Sequence, residues 1–230
     1  DIKLIREESL WLNKTVYDRA RHFINQNKYV ALVGGDHSTP LGMMQAMADT
    51  HGSFGILQID AHADLRNSYE GFEFSHASIS FNALKIKQVE KLVQVGIRDY
   101  CEEEINVISN SGGRVKTFFD RDLKYRQFNG ETWAAITQNI IAELPEKVYL
   151  TFDIDGLDPK LCPNTGTPVA GGFDAEQVLF LLERVVEAGK KIIGFDLNEV
   201  SPGTSGSDWD ANVAARLLYR ICNLARRSMQ

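Results

Sequence analysis

The stretch KVYLTFDIDGLDP, residues 147–159, passes from an apolar, β-branched run straight into Asp153, Asp155 and Asp158. Its first part, KVYLTFDID (147–155), reads as a buried strand. Carboxylates packed this closely repel one another and resist leaving water. A strand that emerges from a core into a knot of acids therefore calls for positive charge at its tip.

Working outward, the same design recurs. YVALVGG (29–35), FGILQID (54–60), KLVQVGI (91–97), VKTFF (115–119) and KIIGFDL (191–197) also read as strands. Helical segments are expected between and around them, over 5–27, 40–51, 101–111, 131–143, 174–189 and 209–226. The last two carry apolar residues at helical spacing, such as Val178, Leu181, Leu182 and Val185. Strands alternating with helices imply crossover connections and a mainly parallel sheet covered on both faces. The expected fold class is thus α/β, three layers in the order α/β/α, with residues 1–230 as a single domain. In such sheets ligands gather beyond the carboxyl ends of the strands. Four unusual polar segments fall there: GGDHS (34–38), DAHAD (60–64), the DID of 153–155 and EVSP (199–202).

Composition narrows the partners. The chain has 230 residues, 43% of them hydrophobic and 24% charged, with a formal charge of −6. An acidic balance argues against nucleic acid and against an anionic membrane surface. No apolar run approaches the roughly 20 residues of a membrane helix. Cys101, Cys162 and Cys222 are far apart and odd in number, which fits a reduced, cytoplasmic setting. Cys162, in a Pro-rich loop, reads as a small apolar filler.

Side chains two apart on an extended segment point the same way. Asp60, His62 and Asp64 therefore share one side, as do Asp153 and Asp155, and the Gly34–Gly35 exit turns His37 toward the same rim. Either short motif alone would pass for a solvated turn or an ordinary strand exit. Together they make two imidazoles and four carboxylates, a set that two divalent cations would balance with about +4 against about −4. Oxygen and nitrogen donors without thiolate suit manganese, and also iron, cobalt or nickel. Asp158 and Asp36 read as turn residues or as groups that orient a ligand. His22 and His51 fall in or beside helices and read as structural.

At this point the sequence resembles the ureohydrolases: arginases, agmatinases and related guanidino-group hydrolases. GGDHS (34–38), DAHADLR (60–66) and TFDIDGLDP (151–159) match the family's three signatures, and NTGTPVAGG (164–172) and EVSP (199–202) are similar too. The resemblance covers roughly residues 28–225. It implies an arginase-like fold and two manganese ions per chain, with nickel or cobalt as substitutes. His37, Asp60, Asp64 and Asp153 would hold one ion; Asp60, His62, Asp153 and Asp155 would hold the other. Catalysis would use Asp64 to orient the attacking water, Glu199 to grip the guanidinium and His76 to carry a proton to the leaving amine.

Urea and an amine would be the products. The segment DLRNSYEGFEFSHAS (64–78) is closest to agmatinases, so agmatine is the expected substrate, giving putrescine and urea. Arg66 complicates that choice. Pointing inward it would welcome a carboxylate tail, as in guanidinobutyrate; turned outward to Glu70 or Glu73 it would leave agmatine favoured. Arginine and guanidine are further alternatives, as is a non-catalytic regulator of polyamine metabolism on the same fold. The rival enzymes fit less well: a binuclear phosphoesterase needs further Asn and His ligands, and a one-metal deacetylase leaves a carboxylate pair unused. The resemblance also implies a trimer or hexamer, and a further strand and loop ahead of the equivalent of residues 1–28.

Overall fold

The computed structural model describes residues 2–203 and 206–230. Its strands are β1 (Ala31–Val33), β2 (Phe54–Ile59), β3 (Val89–Ile97), β4 (Val115–Phe119), β5 (Lys147–Asp153) and β6 (Lys191–Asn198). They form one sheet in the order β1-β6-β5-β2-β3-β4. All five pairings are parallel. The expected parallel α/β architecture is therefore what the chain adopts.

The helices are α1 (Ile2–Ile24), α2 (Leu41–His51), α3 (Ile79–Ala83), α4 (Glu102–Asn110), α5 (Asp120–Phe128), α6 (Trp133–Ala142), α7 (Ala175–Glu187) and α8 (Trp209–Ser228). Strand alternation sorts them onto two faces. Phe54, Ile56 and Tyr149 pack with Met43, Met44, Met47, Ala20 and Ile79, so α1, α2 and α3 cover one face. Leu57, Leu150 and Phe152 pack with Leu123, Ile136, Leu181 and Ile221 from α5, α6, α7 and α8 on the other. Burying a side chain such as Phe152 contributes roughly 2–3 kcal/mol, and that paired burial fixes which residues of each strand face which layer.

Several boundaries and elements depart from expectation. The first strand is only three residues long: Tyr29 stands outside it and donates its hydroxyl to Ile192 O at 3.0 Å. As the sheet edge, β1 pairs with β6 alone. The fifth strand stops at Asp153 because residues 154–156 wind into a 3₁₀ turn. Gly156 allows that turn to press on β2, since a Cβ there would sit 2.9 Å from Asp60 N. Finally, α3 and α5 were not anticipated. The α5 sequence DRDLKYRQF is polar nearly throughout, and only Asp120 and Leu123 are buried.

Candidate metal centre and catalytic rim

β2 and β5 are neighbours in register, Ile59 beside Phe152. The residues that follow, Asp60 and Asp153, are therefore carried together to the rim. β6 brings Asn198 beside Asp153 and delivers Glu199 just beyond. The turn after β1 carries His37 into the same place, where it is fully buried.

Around His37 the donors converge. Its Nδ1 lies 3.2 Å from Asp60 Oδ2, 3.3 Å from Asp64 Oδ2 and 3.1 Å from Asp153 Oδ2. Yet this buried nitrogen makes no hydrogen bond among the described residues. A second group forms around His62, whose Nδ1 lies 3.0 Å from Asp155 Oδ2 and 3.7 Å from Asp60 Oδ1. Asp60 thus turns one oxygen to each histidine. His37, Asp60 and Asp153 form one cluster of ligand atoms within 4.8 Å of each other; Asp60, His62 and Asp155 form another. Asp153 joins the first through Oδ2, while its Oδ1 accepts from Asp155 N at 2.9 Å. An orphaned ring nitrogen facing three carboxylates is a poor hydrogen-bond arrangement and a good ligand set. These residues fit a pair of cations.

Electrostatics agree. Burial, reinforced by the Asp60 charge, pushes the Asp64 carboxyl up to about 7. Burial and the charges of Asp155 and Asp60 raise Asp153 well above the usual range. Against the cost of burial, Asp155 and Asp60 lift His62 to about 11. Without a cation, protons substitute for the missing positive charge.

Two of these residues sit on strained backbone. Asp64 has φ of +54° and Glu199 of +64°, a region unusual for residues with a Cβ. Such conformations cost of order 1–3 kcal/mol and persist where surrounding contacts hold them. For Glu199 the contacts are explicit. Its N–H donates to Gly35 O at 2.7 Å, its carbonyl accepts from Thr165 Oγ1 at 2.8 Å, and Oε1 accepts from His37 N at 2.7 Å.

A small cavity of about 120 Å³ opens beside the clusters. Its walls include His62, Asp64, Arg66, His76, Asp99 and Tyr100. His76 opens a 3₁₀ turn and lies 3.4 Å from Asp36 Oδ2 through Nδ1, a contact that raises its pKa despite partial burial. Asp36 also accepts from Ser38 N at 2.7 Å, so it shapes the turn as well. Arg66 lines this cavity rather than turning out to Glu70 or Glu73. Its Nε lies 3.9 Å from Glu104, and its guanidinium stands over the Tyr69 ring at 5.3 Å. Glu73 pairs with Arg6 instead.

The remaining expectations resolve simply. Asp158 caps its own turn by accepting from Lys160 N at 3.0 Å. Cys162 is buried in the core as an apolar filler, and burial pushes its thiol up to about 12. His22 bonds Gln26 on an exposed helix face, and His51 ends α2.

One feature escaped the sequence. Thr117, Gln94, Gln58, Thr151 and Asp196 stand side by side across five strands, with Gln58 and Thr151 two residues before the ligands Asp60 and Asp153. Thr117 Oγ1 donates to Gln94 Oε1 at 2.8 Å, Gln94 Nε2 donates to Gln58 Oε1 at 2.8 Å, and Gln58 Nε2 donates to Asp60 Oδ2 at 2.9 Å. A second branch runs from Asp196 through Thr151 to His37. The available signal was a polar residue amid the apolar positions of each strand. Arg98 supports the rim from beside this row, donating to the carbonyls of Asp155, Leu157 and Val169.

Comparison with known proteins places this geometry. A profile described as the Arginase family matches residues 1–223. The N(1)-aminopropylagmatine ureohydrolase of Thermus thermophilus is 34% identical over 222 residues, covering 96% of this chain and 67% of that protein. The guanidinobutyrase of Pseudomonas aeruginosa is 32% identical over 198 residues, 82% of this chain and 58% of that one. Among solved structures, the agmatine ureohydrolase of Thermoplasma volcanium superposes with a TM-score of 0.79 at 25% identity, over 95% of this chain and 70% of its own. The chain spans about two thirds of the length of such relatives.

Proposed function

We infer function from one premise: this chain belongs to the arginase family, whose members are metal-dependent amidinohydrolases. It hydrolyses a guanidino compound to urea and an amine, with agmatine, yielding putrescine, as the leading substrate. The observation that carries this reading is Asp60, placed to share its two oxygens between a His37 cluster and a His62 cluster.

His37, Asp60, Asp64 and Asp153 would hold one cation, and Asp60, His62, Asp153 and Asp155 the other; the thiolate-free donor set favours manganese, with nickel or cobalt as substitutes. When bound, such a pair neutralises the carboxylates and activates water at neutral pH. Asp64, on its strained backbone, would accept a hydrogen bond from the attacking water and orient it. One oxygen of Glu199 is committed to His37 N, which leaves the other to accept from the guanidinium. His76, on the cavity wall beside His62 and Asp64, delivers a proton to the departing amine.

The wall also bears on the tail of the substrate. Arg66 faces Glu104 and stacks on Tyr69, so its charge is offset, and Asp99 exposes a carboxylate nearby. That balance favours a cationic tail, such as agmatine or its aminopropyl derivative, over the carboxylate of guanidinobutyrate. The test is urea release from agmatine, aminopropylagmatine, guanidinobutyrate, arginine and guanidine, with manganese and then nickel. Turnover greatest on a cationic-tailed guanidine is expected. Cation uptake with no urea from any of them would favour a regulator and overturn the enzymatic reading.

A further inference from the structure

The branch of the polar row beneath His37 has a definite direction. Thr151 Oγ1 lies 2.7 Å from Asp196 Oδ1 and 2.8 Å from His37 Nε2. All three residues are buried, none more than 1% exposed. Asn198 Nδ2 also donates to Asp196 Oδ1, so that oxygen acts as an acceptor. The hydroxyl of Thr151 has one proton and spends it on Asp196. Its lone pair is then left for an N–H on His37 Nε2. A neutral His37 with its proton on Nε2 carries its lone pair on Nδ1, the orphaned atom that faces Asp60, Asp64 and Asp153.

We propose that Thr151 and Asp196 are positioning residues that lock His37 in the tautomer and ring orientation presenting Nδ1 to a cation. Neither touches substrate; both act through His37. The proposal rests on the two-cation reading above and adds that the two half-sites are held unequally. Among the described residues the His62 half has no comparable buried support: His62 Nε2 faces Asp99, 3.7 Å away and largely exposed. Metal-ligating imidazoles commonly depend on the partner of their other nitrogen, and removing such a partner costs about 10–100-fold in metal affinity.

The experiment is a stepwise manganese titration of the purified chain, with thermal melting of each variant alongside. Thr151→Val keeps the shape and removes the acceptor. One of the two manganese equivalents should weaken about 10–100-fold, while the other stays within about threefold. Thr151→Ser, which keeps the hydroxyl, should restore both. A role in packing alone would lower the melting temperature without separating the two equivalents. Should the valine variant fold poorly, Asp196→Asn gives a second route: its amide can donate to Thr151, turning the hydroxyl proton toward His37 and weakening the same equivalent. Wild-type chain binding two ions, with Thr151→Val binding both equally well, would overturn this proposal and leave the enzymatic reading standing. A wild-type chain that takes up no manganese would overturn both.

Discussion

The two histidines of the rim stand in opposite surroundings. The side chain of His37 is 1% exposed and backed by a buried hydroxyl and carboxylate. That of His62 is 22% exposed, and its outer nitrogen looks toward an aspartate that is 63% exposed. One wall is sealed and wired into the sheet; the other opens into the cavity. The difference teaches how a rigid fold divides labour. The sealed wall sets geometry, because a buried hydrogen bond has no water to compete with it. On the proposed reading, the open wall would admit substrate and let protons exchange.

The sharpest way to break this picture is at the residue the walls share. Asp60→Asn should lose both cations together and lower urea release by at least about 1000-fold, several kcal/mol of transition-state stabilisation. Metal analysis of the variant checks it. Retention of one tightly held ion with most of the activity would show that the two clusters do not depend on a common carboxylate.

Next in size is a change confined to the open wall. His76→Ala should retain both ions and slow turnover by about 100-fold or more. Loss of metal in step with activity would place His76 in the wrong role.

Proton linkage separates loaded from metal-free protein. The folded chain holds protons more tightly than the unfolded one at His62, about 11 against an ordinary 6.5, and at Asp64, about 7 against 3.8. In metal-free protein the stability from His62 is complete below its unfolded value and lost as pH rises through about 11. That from Asp64 declines between its unfolded value and about 7. Cations must displace these protons, so uptake should release them. The melting-temperature gain on adding manganese should therefore be larger at pH 9 than at pH 5. Equal gains would contradict the assignment of these residues as ligands.

The smallest expected effect sharpens the contrast. Asp99→Asn should alter manganese affinity by about fivefold or less, since exposed ion pairs contribute roughly 1 kcal/mol at most. A loss matching that of Thr151→Val would erase the distinction between the walls.

How much of this was legible in advance follows from how far each signal extends along the chain. Every candidate ligand sits in a local motif, so GGDHS, DAHAD and DIDGLDP named them without any structure. All six strands were legible as apolar runs. The first is shorter than its apolar run, and Tyr29, outside it, meets a carbonyl of β6 that lies 163 residues away. Helix α5 carries too little apolar periodicity to announce itself, and Leu123 alone anchors it in the apolar core. The polar row was hidden for a different reason. Thr117, Gln94, Gln58, Thr151 and Asp196 each look like an incidental polar residue in an apolar strand. Only the register between strands, which no single segment contains, lines them up beneath the ligands. The partner of Arg66 was equally out of reach, because Glu104 lies 38 residues further on and meets it through the packing of α4.

The most direct measurement is anomalous diffraction from crystals grown with saturating manganese. Two peaks are expected, one among His37, Asp60, Asp64 and Asp153, the other among Asp60, His62, Asp153 and Asp155. A single peak, or none, with His37 Nδ1 still facing bare carboxylates, would contradict the account at its root.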